Sequence, residues 1–264
     1  NATSDFCQGD AGADIIWVDR NGASNDRLAG NTSADKVQYV TGFANGADRT
    51  LNGDRIADPT AKSGHTQRQF ANNPLFSAAG PSYSDIRQGA LGDCYMLAAL
   101  SAIARDNPHA LRQNIVDFDD GTYGVRVGNN FYREDNDLAV SSASSSTPAY
   151  AGLGRENSMW VAVYEKAWAH YRTGANTFAS IEGGWGVEVN RAFGSTSAGE
   201  RNIGSFSSAA AMAEEIANRW GGRQAVTIGI LSGSGANLVT GHMYTVISVA
   251  RDFTDRILTI TLRN

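Results

Sequence analysis

The stretch Asp85-Ile86-Arg87-Gln88-Gly89-Ala90-Leu91-Gly92-Asp93-Cys94 runs without a break into Tyr95-Met96-Leu97-Ala98-Ala99-Leu100-Ser101-Ala102-Ile103-Ala104. The second half is rich in strong helix formers, sets Leu97, Leu100 and Ile103 on one side and stops at Asn107-Pro108. It therefore predicts a helix from Cys94 to Arg105 with Asp93 as its N-cap. A cysteine in the first turn of a helix lies beside unpaired backbone N–H groups and the positive end of the macrodipole, which favours thiolate over thiol. A lone cysteine is more often a small buried hydrophobe. Here its neighbours change the reading: Gly89 and Gly92 allow tight turns and close approach by a substrate, and Gln88 offers an amide donor suited to an oxyanion.

A thiolate needs a proton-carrying partner, and the chain has four histidines. His65 falls in an irregular N-terminal region, His109 follows a helix-ending proline, and His170 sits within a helix. His242 follows Gly241 at the start of an alternating, β-branched strand, a rigid element that can present an imidazole across a cleft. Asn264, at the end of the next strand, can supply the third group that fixes the imidazole tautomer.

Outward from this stretch, residues 1–72 are rich in Asn, Asp, Gly, Ser and Thr and read as short strands joined by turns, with no internal repeat at solenoid periods. Helices are expected over about 158–172, where Trp160, Val161, Tyr164 and Trp168 recur at helical spacing, and over about 207–220. Tyr123 to Tyr132 reads as a strand pair, and the polar segment 133–157 as an exposed loop. Residues 225–231, 242–249 and 257–262 alternate as antiparallel strands do. The fold class is α+β: an extension over 1–72, a helical lobe over 73–204 and a β-rich lobe over 205–264.

With 264 residues, 42% hydrophobic and 19% charged, the chain is long enough for two lobes, and it lacks the run of roughly 18 apolar residues that a membrane span needs. A net charge of −5 provides no basic field for nucleic acid or an anionic membrane, so neither partner is expected. Two cysteines, Cys7 and Cys94, do not make a disulfide scaffold, and the compartment stays open. A start at Asn1 without a leader suggests a trimmed product.

Four segments resemble the protease core of the calpain family: residues 88–94, Trp160-Val161-Ala162-Val163-Tyr164-Glu165-Lys166-Ala167-Trp168-Ala169, Gly241-His242-Met243-Tyr244-Thr245-Val246, and Leu262-Arg263-Asn264. Together they span about residues 74–264. The resemblance implies a papain-like two-lobe cysteine endopeptidase with Cys94 as nucleophile, His242 as base, Asn264 as orienter and Gln88 as oxyanion donor, acting on a polypeptide. It also implies Gly194 and Gly241 along the substrate cleft, and calcium held in the first lobe by Asp85, Glu165 and the carbonyl near Gly80. Against calcium stands a second reading, in which Asp85 and Glu165 make ion pairs with nearby Arg or Lys.

The chain departs from the family in three ways. Nothing follows Asn264 here, where the family has Pro-Trp-Gly, so the β lobe would be completed by further chain or by a second chain, or Asn264 would end a processed fragment. The family's paired glycines read Gly194-Ser195. Residues 1–72 match nothing in it, and serve as a propeptide, a binding module or a regulatory arm. Asp19, Asn21, Asp26, Asp48, Asp54 and Asp58 suggest weak calcium loops there, with solvated turns as the other reading. Two further functions stay open: a calpain-like module that binds peptide or calcium without cleaving, and acyl transfer by the same triad.

Overall fold

The computed structural model describes residues 5–20, 25–47, 56–233 and 237–264; Asn21, Asp48 and Asp54 lie outside them. The chain opens with β1 (Phe6–Gln8), β2 (Ile15–Asp19), β3 (Arg27–Ala29) and β4 (Lys36–Val40). β1 pairs with β3 and β2 with β4, both in parallel and both at a constant offset: Phe6 faces Arg27 and Ile15 faces Lys36, each 21 residues on. This part of the chain is a short parallel coil, so the expectation of no repeat is overturned. What repeats is an aspartate at each turn entry rather than an apolar pattern. The Asp26 carboxylate accepts from the backbone N–H of Asp5 (3.0 Å) and of Asp19 (2.7 Å), and the Asp35 carboxylate accepts from that of Asp14 (2.9 Å). Asp26 is thus a structural brace.

β5 (Thr66–Gln69) precedes the segment 85–94, and α1 (Cys94–Asp106) begins at its end, at the expected place. α2 (Pro108–Asn114) was not foreseen. The proline that stops α1 starts α2, because Asn107 accepts from the backbone of Ala110 and Pro108 takes the first turn, where no N–H is needed. β6 (Ile115–Asp117), β7 (Thr122–Val127) and β8 (Asn130–Asp135) form an antiparallel sheet, and β9 (Asp137–Val140) pairs with β5.

Arg133 to Asn136 are buried, so the expectation of an exposed loop over 133–157 fails at its start. The polar residues are tolerated there because they are paired: Lys166 reaches Asp135 at 2.5 Å. The serine-rich tract that follows is exposed as expected.

α3 (Trp160–Tyr171) is buried on every side from Trp160 to His170 and forms the spine of the first lobe. α4 (Gly186–Ala192), α5 (Ala209–Gly221) and the antiparallel sheet of β10 (Thr227–Ile230), β11 (His242–Arg251) and β12 (Ile257–Arg263) complete the chain. The second lobe is clamped on α1 by backbone-directed hydrogen bonds: Thr245 Oγ1 donates to Ala98 O at 2.7 Å, and Arg105 Nη1 donates to Val246 O at 2.5 Å. Arg263 Nη2 reaches Ile86 O at 2.8 Å. No described helix is long and apolar enough to cross a membrane.

Candidate active site

Gln88, Cys94, His242 and Asn264 line one open cleft, where α1 meets β11. Cys94, Leu97, Ala98 and Ser101 form its helical wall, the i, i+3, i+4, i+7 face of α1. His242, Met243, Thr245 and Arg263 come from the sheet. Gly241 takes φ +69°, in the region that favours glycine, and turns the chain into β11, while the His242 ring packs edge-on against Tyr244 at 4.8 Å. Thr245 pairs with Arg263 across β11 and β12, which sets Asn264 opposite Tyr244 and diagonal to His242. Diagonal neighbours on one sheet face lie roughly 7–8 Å apart, within reach of their side chains.

The loop before Cys94 is held from several sides. Gln88 Nε2 donates one hydrogen to Leu91 O at 2.8 Å, which fixes the amide and leaves its other hydrogen. Gly89 is needed for a reason other than substrate access: a Cβ there would lie 2.1 Å from Tyr150 O. Gly92 O accepts from Gly183 N at 2.7 Å, so residues 182–184 flank the loop before Cys94, a neighbour that the sequence reading missed. Gly194 has φ +86°, ends α4 and is not among the cleft-lining residues. Ser101, Thr245 and Arg263 were also missed. The heptad step from Cys94 to Ser101 was the available signal for the first of them.

Asp93 occupies the N-cap position without capping: its side chain makes no bond to the helix and is fully buried against Glu165 of α3. Burial pushes the Asp93 carboxyl up to about 6, and burial beside Asp93 pushes Glu165 well above the usual carboxylate range. The Glu165 carboxyl lies beside that of Asp93 and accepts from the backbone N–H of Ala151 at 3.1 Å.

A raised folded pKa means that the native state binds more protons than the unfolded chain, so stability falls as pH rises from about 4 to about 6. Each such group contributes a slope of up to about 1.4 kcal/mol per pH unit. Asp93→Asn keeps a hydrogen-bonding partner for Glu165 and removes one titration. It is expected to flatten the fall of Tm across that window and to raise Tm at neutral pH. An unchanged profile would mean that the pair does not share a proton.

Asp85, Gly80 and Glu165, the residues implied for calcium, do not converge on an open cation site. The Asp85 carboxylate is fully buried and accepts from Arg155 Nε (2.7 Å), Trp160 Nε1 (3.0 Å) and Ser82 N (2.8 Å). Gly80 O accepts from Arg155 Nη2 at 2.7 Å. Burial raises the Asp85 pKa, but these donors outweigh it and hold the carboxyl below its usual range. Glu165 faces Asp93 instead. The donor set does not fit calcium, which takes six to eight oxygens, because a guanidinium already lies among the oxygens that would bind it. Of the two readings of Asp85, the ion pair with arginine is the one observed.

Among the described residues, one other acidic group is close enough to hold an ion: Asp58, Asp135 and Asp137 offer oxygens within 4.8 Å of one another. Lys166 already serves as the cation there, 2.5 Å from both Asp58 and Asp135.

A thiol at a helix start and an imidazole at a strand start, facing one cleft between a helical and a β-rich part, is the arrangement of a cysteine peptidase. Residues 64–264 match the model of the calpain family cysteine proteases, and the chain belongs to that family. It is 30% identical over 115 residues to the calpain-type cysteine protease DEK1 of Zea mays, covering 42% of this chain and 5% of that protein. It is 28% identical over 120 residues to the calpain-type cysteine protease ADL1 of Oryza sativa subsp. japonica, covering 44% and 5%. The chain thus spans only a small part of the length of these relatives.

Proposed function

We propose that this chain is a papain-like cysteine endopeptidase domain that hydrolyses internal peptide bonds through an acyl-enzyme on Cys94. The observation that carries this reading is the meeting of Cys94, His242, Asn264 and Gln88 at one cleft. His242 takes the thiol proton as Cys94 Sγ attacks the scissile carbonyl, and Asn264 holds the imidazole tautomer. The remaining Gln88 amide hydrogen and the backbone N–H at the start of α1 are aimed at the oxyanion. His242 then passes its proton to the leaving amine and activates the water that cleaves the thioester, restoring the thiol. The substrate is a polypeptide, with specificity read along the cleft. Calcium dependence, which family membership suggests, draws no support from Asp85, Gly80 and Glu165, whose oxygens are engaged within the protein.

Labelling with a peptidyl thiol electrophile tests this reading. Cys7 is half-buried, and burial together with Asp26 and Asp5 pushes its thiol up, so it stays protonated in the native state. Mass is expected to be gained at Cys94, and His242→Ala is expected to slow that gain sharply. Equal labelling of Cys7 and Cys94, seen only after denaturation, would sink the proposal.

A further inference from the structure

We infer that Arg155 is a built-in cation: its guanidinium fixes the corner formed by Gly80 and Asp85, and this corner takes up no divalent metal ion. Three independent features carry the inference. The first is the fork itself. Arg155 binds both Asp85 oxygens, through Nε at 2.7 Å and Nη2 at 3.4 Å, while Nη2 also reaches Gly80 O at 2.7 Å. Its own backbone N–H donates to Asp85 Oδ1 at 3.1 Å. One side chain thereby links a carboxylate and a carbonyl that a hard cation would otherwise bring together.

The second feature is that the backbone around Arg155 is shaped to deliver it. Gly154 admits no side chain, since a Cβ there would lie 2.6 Å from the Asp85 Cβ. Glu156 and Asn157 adopt φ of +53° and +58°, and the Glu156 carboxylate ties the turn to Ala78 N at 2.8 Å. Non-glycine residues in this region are held by their surroundings. The third feature is the place of Glu165, which is buried and has both carboxyl oxygens on the backbone N–H of Ala151, at 3.2 and 3.1 Å. A metal ion would have to displace the fork, break the bonds at Asp85 and pull Glu165 from the Ala151 backbone.

The corner leads within a few residues to Ile86 and Gln88, so the guanidinium also steadies the entry to the nucleophile loop. Arg263 binds Ile86 O from the other lobe, at 2.8 Å. The entry is then held at both ends by arginine side chains.

Terbium(III), a hard, oxygen-seeking stand-in for calcium, tests the inference without reading activity, so failure of the peptidase proposal leaves it untouched. Trp160 Nε1 lies 3.0 Å from Asp85 Oδ2, and its indole would sensitise an ion bound at the corner. The wild-type chain is expected to give no saturable sensitised emission that Trp160→Phe removes. Such emission, displaced by calcium, would overturn the inference. A folded Arg155→Met protein is expected to gain that emission, and a folded variant that gains none would also count against it. Should Arg155→Met fail to fold, the wild-type measurement decides alone.

Discussion

Replacing Cys94 with alanine is expected to abolish peptide hydrolysis, by on the order of 10⁴-fold or more, while leaving the fold in place. The two halves of this expectation rest on different observations. The loss of activity follows because no other described side chain in the cleft is a nucleophile matched to His242: Ser101 Oγ is two turns further along α1 and buried, and Thr245 Oγ1 is committed to Ala98 O. Retention of the fold follows because α1 draws its stability from the buried run Tyr95 to Ala104 rather than from its first residue, which is only half-buried. His242→Ala should cost a comparable factor, and the double variant little more than either single one, since the two groups act as a unit. Hydrolysis of casein and of a fluorogenic peptide, with Tm measured beside it, checks all three variants. If Cys94→Ala still cleaves, Cys94 is not the nucleophile.

The parts of this site that were legible in the sequence are those written in local chemistry. The helix start at Cys94 is announced by Asp93, by a run of helix formers and by a stop at Asn107, and α1 spans that stretch. β11 and β12 show themselves by alternation, so His242 and Asn264 could be paired from their positions alone. What stayed hidden depends on contacts between distant residues. Asp93 looks like a helix cap, yet burial beside Glu165, 72 positions away, turns its side chain inward. Asp85 looks like a metal ligand until Arg155 is seen across the turn. The parallel coil of β1 to β4 has only two described turns, and its repeating signal is an aspartate that binds backbone, which polar composition alone presents as solvated loop. α4 is short and begins at a glycine, and gave no periodicity to read.

The same limit explains Arg133 to Asn136, and the residue that resolves it makes the sharpest stability prediction. Lys166 is almost wholly buried on α3, ion-paired to Asp58 and Asp135 at 2.5 Å each and donating to Asp137 O at 2.9 Å. Burial works against its charge, but these carboxylates more than reverse that and raise its pKa. It therefore carries a full charge in the core. Its neighbours Glu134 and His170 behave differently. Burial pushes Glu134 well up and His170 down to about 4, so the imidazole is neutral near pH 7 and its 3.8 Å approach to Glu134 is not an ion pair.

Lys166→Met keeps much of the aliphatic volume but strands the Asp135 carboxylate in the core. Breaking a buried pair in this way costs about 3–5 kcal/mol, a large share of the roughly 5–15 kcal/mol that holds a domain together. Tm should fall by about 10 °C or more at neutral pH. Adding Asp135→Asn to Lys166→Met removes the stranded charge and is expected to recover part of that loss, giving a coupling that a purely steric defect would not show. Should the double variant be no more stable than Lys166→Met, packing rather than charge would be what Lys166 contributes to the first lobe.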